Sequence, residues 1–169
     1  MNTTYKSRMC VSHPSQTVIR ELSKAFEVMR KRYLESGIDY DTTDKPMDGY
    51  QAMQYRFDTD KHITISTVGN ATAIYGSTAN IAFRFWHDCV HCLLRQDFSY
   101  KGEHTVIMEQ AAELRDYGIS EEAMEVFMAD TIGQVRYYYE HKEFVKDQQR
   151  FITTCLTQGL EQAVLIKQH

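Results

Sequence analysis

TANIAFRFWHDCVHCLLR, residues 78–95, decides the fold. The run is apolar, yet it carries two histidines, an aspartate and two cysteines, which are costly to bury without partners. Read as a helix over about 78–95 with Ser77 as its cap, it separates into two faces. With His87 at zero and 100° per residue, His91 falls at about 40° and Asp88 at about 100°. Trp86, Val90, Leu93, Phe83 and Leu94 fall between about 240° and 340°. One face is therefore aliphatic and aromatic, and the other carries His87, Asp88 and His91.

Histidines at i and i+4 point the same way, one turn apart, which suits two ligands of one metal ion. Asp88 adjoins them, as a further oxygen ligand or as a group that fixes an imidazole tautomer. Arg84 lies on the same side, one turn before Asp88, where it can pair with Asp88 or hold an anionic substrate. Cys92 borders this face and Cys89 points nearly opposite His87. A mid-helix CxxC without a second pair reads as packing rather than as a redox or zinc motif. Glu103, just past the break at RQDFS, is the candidate fourth ligand, returned over the histidines by a tight turn.

Outward from this helix the chain reads as mainly α. Pro14 and Ser15 start a first helix that carries Val18, Ile19, Leu22, Ala25, Phe26, Met29, Tyr33 and Leu34 at helical spacing and stops at Gly37. Residues 38–50 read as a loop. MQYRF (53–57) and HITIST (62–67) read as a small β-hairpin, with ATAIY (71–75) as a third short strand. A helix over about 100–117 ends at Gly118. Ser120 caps another that reaches His141, with Glu121 and Glu122 in its first turn. A last helix carries Phe144, Phe151, Ile152, Leu156, Leu160, Ala163 and Val164. The expected architecture is one domain, residues 1–169: a helical bundle with a small β-hairpin inserted after the first helix.

The chain of 169 residues is 43% hydrophobic and 25% charged, ordinary for a globular domain large enough to bury a core. Its net charge of −4 comes with no basic run, so no electrostatic footprint for nucleic acid or an anionic membrane is evident. MNTTYKSRMC lacks the apolar segment of a signal peptide, and no apolar run is long enough to span a bilayer. A cytoplasmic protein is expected, with Cys10, Cys89, Cys92 and Cys155 as free thiols. Cys10 and His13 need no function. Glu109 and Glu113 read as a solvated face, and Tyr137, Tyr138 and Tyr139 chiefly as packing residues.

HDCVHCLLRQDFSYKGE, residues 87–103, resembles the zinc motif of the coenzyme Q biosynthesis protein four family, His-Asp-x-x-His-x11-Glu. Leu94, Gly102 and Arg84 also fit that family's pattern, and Tyr138–Glu140 resembles a Tyr-Tyr-Glu near its C-terminus, at a shorter gap from Glu103. The resemblance implies His87, Asp88, His91 and Glu103 as ligands of zinc or another divalent ion in a mostly helical protein. It also implies association with quinone-precursor lipids and a part in removing a ring carboxyl group.

Mixed nitrogen and oxygen ligation suits Zn, with Mn, Fe or Co as alternatives. An open position on such an ion acidifies a bound water or polarises a substrate oxygen. Asp88 or Glu103 is then placed to act as general base, with Arg84 steadying a carboxylate or phosphate. The expected function is a metal-dependent lyase or hydrolase acting on a small anionic substrate, with self-association into a homo-oligomer left open. Two rivals stand beside it. An HD-type phosphohydrolase would draw His62 and Asp130 in as outer ligands. A binding or regulatory module would use the same four residues to close a structural metal site.

Overall fold

The computed structural model describes residues 13–46, 49–70 and 73–168. Among them the chain is mainly helical, with a two-stranded sheet after the first helix. Helix α1 (Gln16–Glu35) begins at Ser15, whose hydroxyl accepts from the Val18 amide at 3.2 Å. Gly37 follows its end with φ 90°, a conformation glycine adopts without a Cβ penalty.

The β element is parallel, not a hairpin. Strand β1 (Asp39–Thr43) lies in the stretch expected to be a loop, and it pairs with β2 (His62–Ser66), Asp39 opposite His62 and Thr43 opposite Ser66. Parallel neighbours cannot be joined by a tight turn, so the chain crosses back through helix α2 (Tyr50–Asp60). MQYRF sits inside this helix. Met53 and Phe57, four residues apart, share its buried face, and this packing overrides the strand preference of the aromatics. Of the expected third strand, residues 71 and 72 lie outside the described residues, and Ile74 and Tyr75 form a turn.

Helix α3 (Ser77–Leu94) occupies nearly the span expected, although Gly76 rather than Ser77 is its N-cap. Then come α4 (Tyr100–Tyr117), α5 (Glu121–Asp130), α6 (Ile132–His141), α7 (Gln148–Gln158) and α8 (Leu160–Leu165). Ser99 and Ser120 cap α4 and α5 through their hydroxyls, and Gly118 ends α4 in the left-handed region. The helix expected to run from Ser120 to His141 is broken at Thr131. That residue has a distorted right-handed backbone, φ −97° and ψ −73°, and its hydroxyl donates to the Phe127 carbonyl at 2.7 Å. The last expected helix is likewise split, at Gly159.

Helix α3 runs between two apolar clusters. On one side Ala79, Ala82, Trp86 and Val90 meet Leu22, Phe26 and Met29 of α1 and residues of α4 and α5. On the other, Phe85, Cys89 and Cys92 meet Met53, Phe57, Ile63 and Ile65. Burying a side chain such as Phe26 or Phe85 contributes roughly 1.5–3 kcal/mol. The CxxC cysteines therefore pack, as expected, and are free and buried. Leu93 and Leu94, placed by the wheel on the apolar face, are 53% and 38% exposed, while His91 and Cys92 in the same turn are buried. No helix among the described residues is long and apolar enough to cross a membrane.

Candidate metal centre

His87 and His91 project from α3 toward Glu103, in the first turn of α4. The turn between the helices sets this alignment. Arg95 adopts the left-handed conformation that ends α3, and the Gln96 amide donates to the His91 carbonyl at 3.0 Å. Asp97 Oδ1 accepts from the Ser99 amide, and Ser99 Oγ from the Gly102 amide at 3.2 Å. Gly102 is required here, since a Cβ on it would overlap the Asp97 carbonyl. The Tyr139 hydroxyl, from α6, donates to the Phe98 carbonyl and ties the turn to the bundle.

Three ligand atoms converge. Nε2 of His87 and Nε2 of His91 are 3.1 Å apart, and Glu103 Oε2 lies 3.2 Å from the first and 3.5 Å from the second. Ligands about 2.0–2.1 Å from a tetrahedral ion stand about 3.3 Å from one another, so these separations fit one small cation. Among the described residues, His87, His91 and Glu103 form the group of His, Cys, Asp and Glu side chains able to hold a metal ion.

The outer contacts fix the ring orientations. His91 Nδ1 lies 2.8 Å from the Gln96 carbonyl, which can only accept, so Nδ1 carries the proton and Nε2 offers a lone pair. His87 Nδ1 lies 2.9 Å from Gln110 Oε1, a carbonyl oxygen with the same effect. Two imidazole lone pairs and a carboxylate oxygen are all acceptors, and a shared cation reconciles them. Burial works against charging His87, but its contacts with Glu103 outweigh it and raise its pKa. Burial likewise resists ionisation of Glu103, and both histidines overcome it, drawing its pKa down to about 2.

Asp88, the fourth expected ligand, stands beside this group and is not one of the converging three. It is 5% exposed, and burial pushes its pKa up to about 6. Its Oδ2 has no hydrogen-bond partner. Arg84 braces the chain before α3. Its Nη1 donates to the Ser66 and Val68 carbonyls, while its charge favours the ionised form of Asp88.

A cavity of about 680 Å3 adjoins the group, with His87, Asp88, Glu103 and Arg84 in its wall. His91 is fully buried, while the side chains of His87 and Glu103 keep 17% and 18% exposure. The convergence point is thus sealed on the His91 side and open toward the cavity. Phe83, Ile107, Val135, Tyr138 and Tyr139 belong to the apolar wall, and Phe144, 74% exposed, stacks on Tyr138.

The outer ligands of the phosphohydrolase pattern do not assemble. His62 pairs with Asp41 at 3.2 Å and lines a separate small cavity with Met53 and Arg56. Asp130 lines the main cavity but accepts from the side-chain amides of Gln134 and Gln148. Glu113, expected on a solvated face, is instead a half-buried acceptor for the Tyr33 hydroxyl at 2.8 Å and the Trp86 indole at 3.3 Å. Cys10 lies outside the described residues.

Gln110 and the Gln96 carbonyl, which orient the two imidazoles, are absent from the sequence reading. The Ser99 cap was available as a signal, since serine is a preferred N-cap residue and stands just before α4. Compared with known proteins, the chain matches no family model, no curated protein and no solved structure.

Proposed function

We propose that the protein is a divalent-metal-dependent enzyme, a lyase or hydrolase, acting on a small anionic substrate in the cavity beside His87. The observation that carries this reading is the convergence of two Nε2 lone pairs and the Glu103 carboxylate, each imidazole held by a carbonyl oxygen behind it. Zinc suits two imidazoles and a carboxylate at these separations, and manganese or iron are the alternatives. When bound, such an ion supplies Lewis acidity toward an oxygen of the substrate or of water.

The residues divide the remaining work. His87, His91 and Glu103 hold the ion. Asp88 lines the same cavity, and its carboxylate takes the proton released as the substrate reacts. Glu103, with Oε2 at 3.2 and 3.5 Å from the two imidazole nitrogens, is fitted to ligation rather than to proton transfer. Arg84 fixes the cavity rim and adds positive charge beside the anionic end of the substrate. The motif's resemblance to the coenzyme Q biosynthesis protein four family supports the lyase side of this reading. The opening toward the cavity favours a working ion over a closed structural one.

The test is elemental analysis of natively purified protein beside the His87→Ala/His91→Ala double variant. One equivalent of metal in the first and none in the second, with both folded, is the expected result. No metal in either, and no uptake of added zinc or manganese, would overturn the reading. Hydroxybenzoate-type acids and phosphoesters are the first substrates to screen with the metal found.

A further inference from the structure

The wall of the cavity holds a further acidic residue that the metal reading does not use. Asp130, the last residue of α5, reaches its wall 6% exposed. Its Oδ1 accepts from Gln134 Nε2 at 2.6 Å and from Gln148 Nε2. Gln148 is itself anchored, since its Oε1 accepts from the Ile74 amide at 2.7 Å. The buried Tyr75 hydroxyl borders the same carboxylate and interacts with it. No lysine, arginine or histidine pairs with Asp130 among the described residues.

A carboxylate is a poor choice for this position on structural grounds alone. Two amide donors on one oxygen could be met by an asparagine, without burying a charge against apolar walls. The formal charge therefore calls for a partner that the fold does not provide, and the cavity is the side from which one can enter. Phe83, Val135, Tyr138 and Phe144 line that cavity, surfaces that suit a flat ring. Aromatic faces also favour a cation lying over them.

We propose that Asp130 recognises the hydrogen-bond-donating edge of a flat, ring-bearing cation, an amine or amidinium, whose ring packs among Phe83, Val135, Tyr138 and Phe144. This goes beyond the metal reading and stands apart from it, because Asp130 belongs to α5 and is not one of the converging ligands. It adds a donor-bearing ring to the substrate class.

Benzamidine is a suitable probe, since its two parallel N–H groups match a carboxylate. Titration is followed by calorimetry and by the side-chain amide signals of 15N-labelled protein, for wild type, Asp130→Asn and the metal-free His87→Ala/His91→Ala variant. Saturable binding is expected in wild type and in the metal-free variant, with shifts of the Gln134 and Gln148 amides. Asp130→Asn should bind about tenfold more weakly or worse, as the loss of one charge-assisted hydrogen bond implies. Benzamide, the neutral analogue, should bind wild type more weakly than benzamidine. Absence of binding, equal binding by Asp130→Asn, or binding that leaves the Gln134 and Gln148 signals in place would each overturn the proposal. The amide shifts are read on wild type, so the test holds even if Asp130→Asn fails to fold. Metal bound without benzamidine sinks only this inference, and benzamidine bound without metal sinks only the proposed function.

Discussion

His91 and Gln96 are bonded to each other twice: the Gln96 amide donates to the His91 carbonyl at 3.0 Å, and His91 Nδ1 donates to the Gln96 carbonyl at 2.8 Å. The turn that ends α3 thereby also orients a candidate metal ligand. Local backbone geometry and site chemistry are the same structure at this point.

Gln110 plays the matching part for His87 with a side chain, which makes it the cleaner target. Gln110→Leu removes the acceptor behind the imidazole and leaves all three ligand groups in place. Loss of such an orienting partner typically weakens metal binding about 10–100-fold. Competition titration against a zinc chelator should show this drop, with the helical circular dichroism spectrum unchanged. Unaltered affinity would mean that Gln110 does not set the tautomer.

Gly102 sits where the start of α4 passes the Asp97 carbonyl, and any Cβ must push the two apart. Gly102→Ala should destabilise the fold by about 1–3 kcal/mol, the usual range for overpacking. It should also weaken metal binding, because Glu103 is the next residue. Urea denaturation and metal titration on the same sample check both effects.

The stability of the protein should carry the mark of Asp130. Burial raises its pKa, and the Gln148, Tyr75 and Gln134 contacts only partly oppose this. A raised folded-state pKa contributes stability that is full below the unfolded pKa of about 3.9 and is lost as pH rises through the folded value. Asn at this position does not titrate and keeps an acceptor for both glutamines. Thermal melts should therefore favour Asp130→Asn over wild type more at pH 7 than at pH 4. A difference that is constant, or reversed, would show that the carboxylate is not under this burden.

The thiols of Cys89, Cys92 and Cys155 are buried, and burial pushes the last two up to about 12 and Cys89 higher still. The reacting species is the thiolate, so iodoacetamide at pH 7.5 should label these three slowly in the native protein and rapidly in urea. Peptide mapping by mass spectrometry identifies the sites. Fast native labelling of Cys89 or Cys92 would contradict their packing against Ile63 and Ile65.

The helix carrying His87 and His91 was legible because its ligands repeat at a helical interval, and Glu103 follows within one helix–turn–helix unit. The parallel sheet was not. Met53 and Phe57 sit four apart on a helix, but the intervening tyrosine also suits a strand, and only β1, hidden in a polar stretch, decides between the two. Asp88 was drawn into the ligand set by adjacency, whereas the 100° step per residue turns its carboxylate aside from the point where the other three meet. Gln110 could not have been named, since a neutral amide acquires its role only where α4 crosses α3. The cavity was hidden for a related reason. Tyr138, Phe144 and Gln148 become its walls only when α6 and α7 pack against α4 and α5.

The three converging ligands and Gln110 all come from the hairpin of α3 and α4, residues 87–110. Their contacts are local in sequence, and local contacts form early because little chain must be closed to make them. The far wall depends on residues 130–148, which arrive only after a long loop is closed. The ligand set is thus the property of one hairpin, and the enclosure of the chamber beside it the property of the whole bundle.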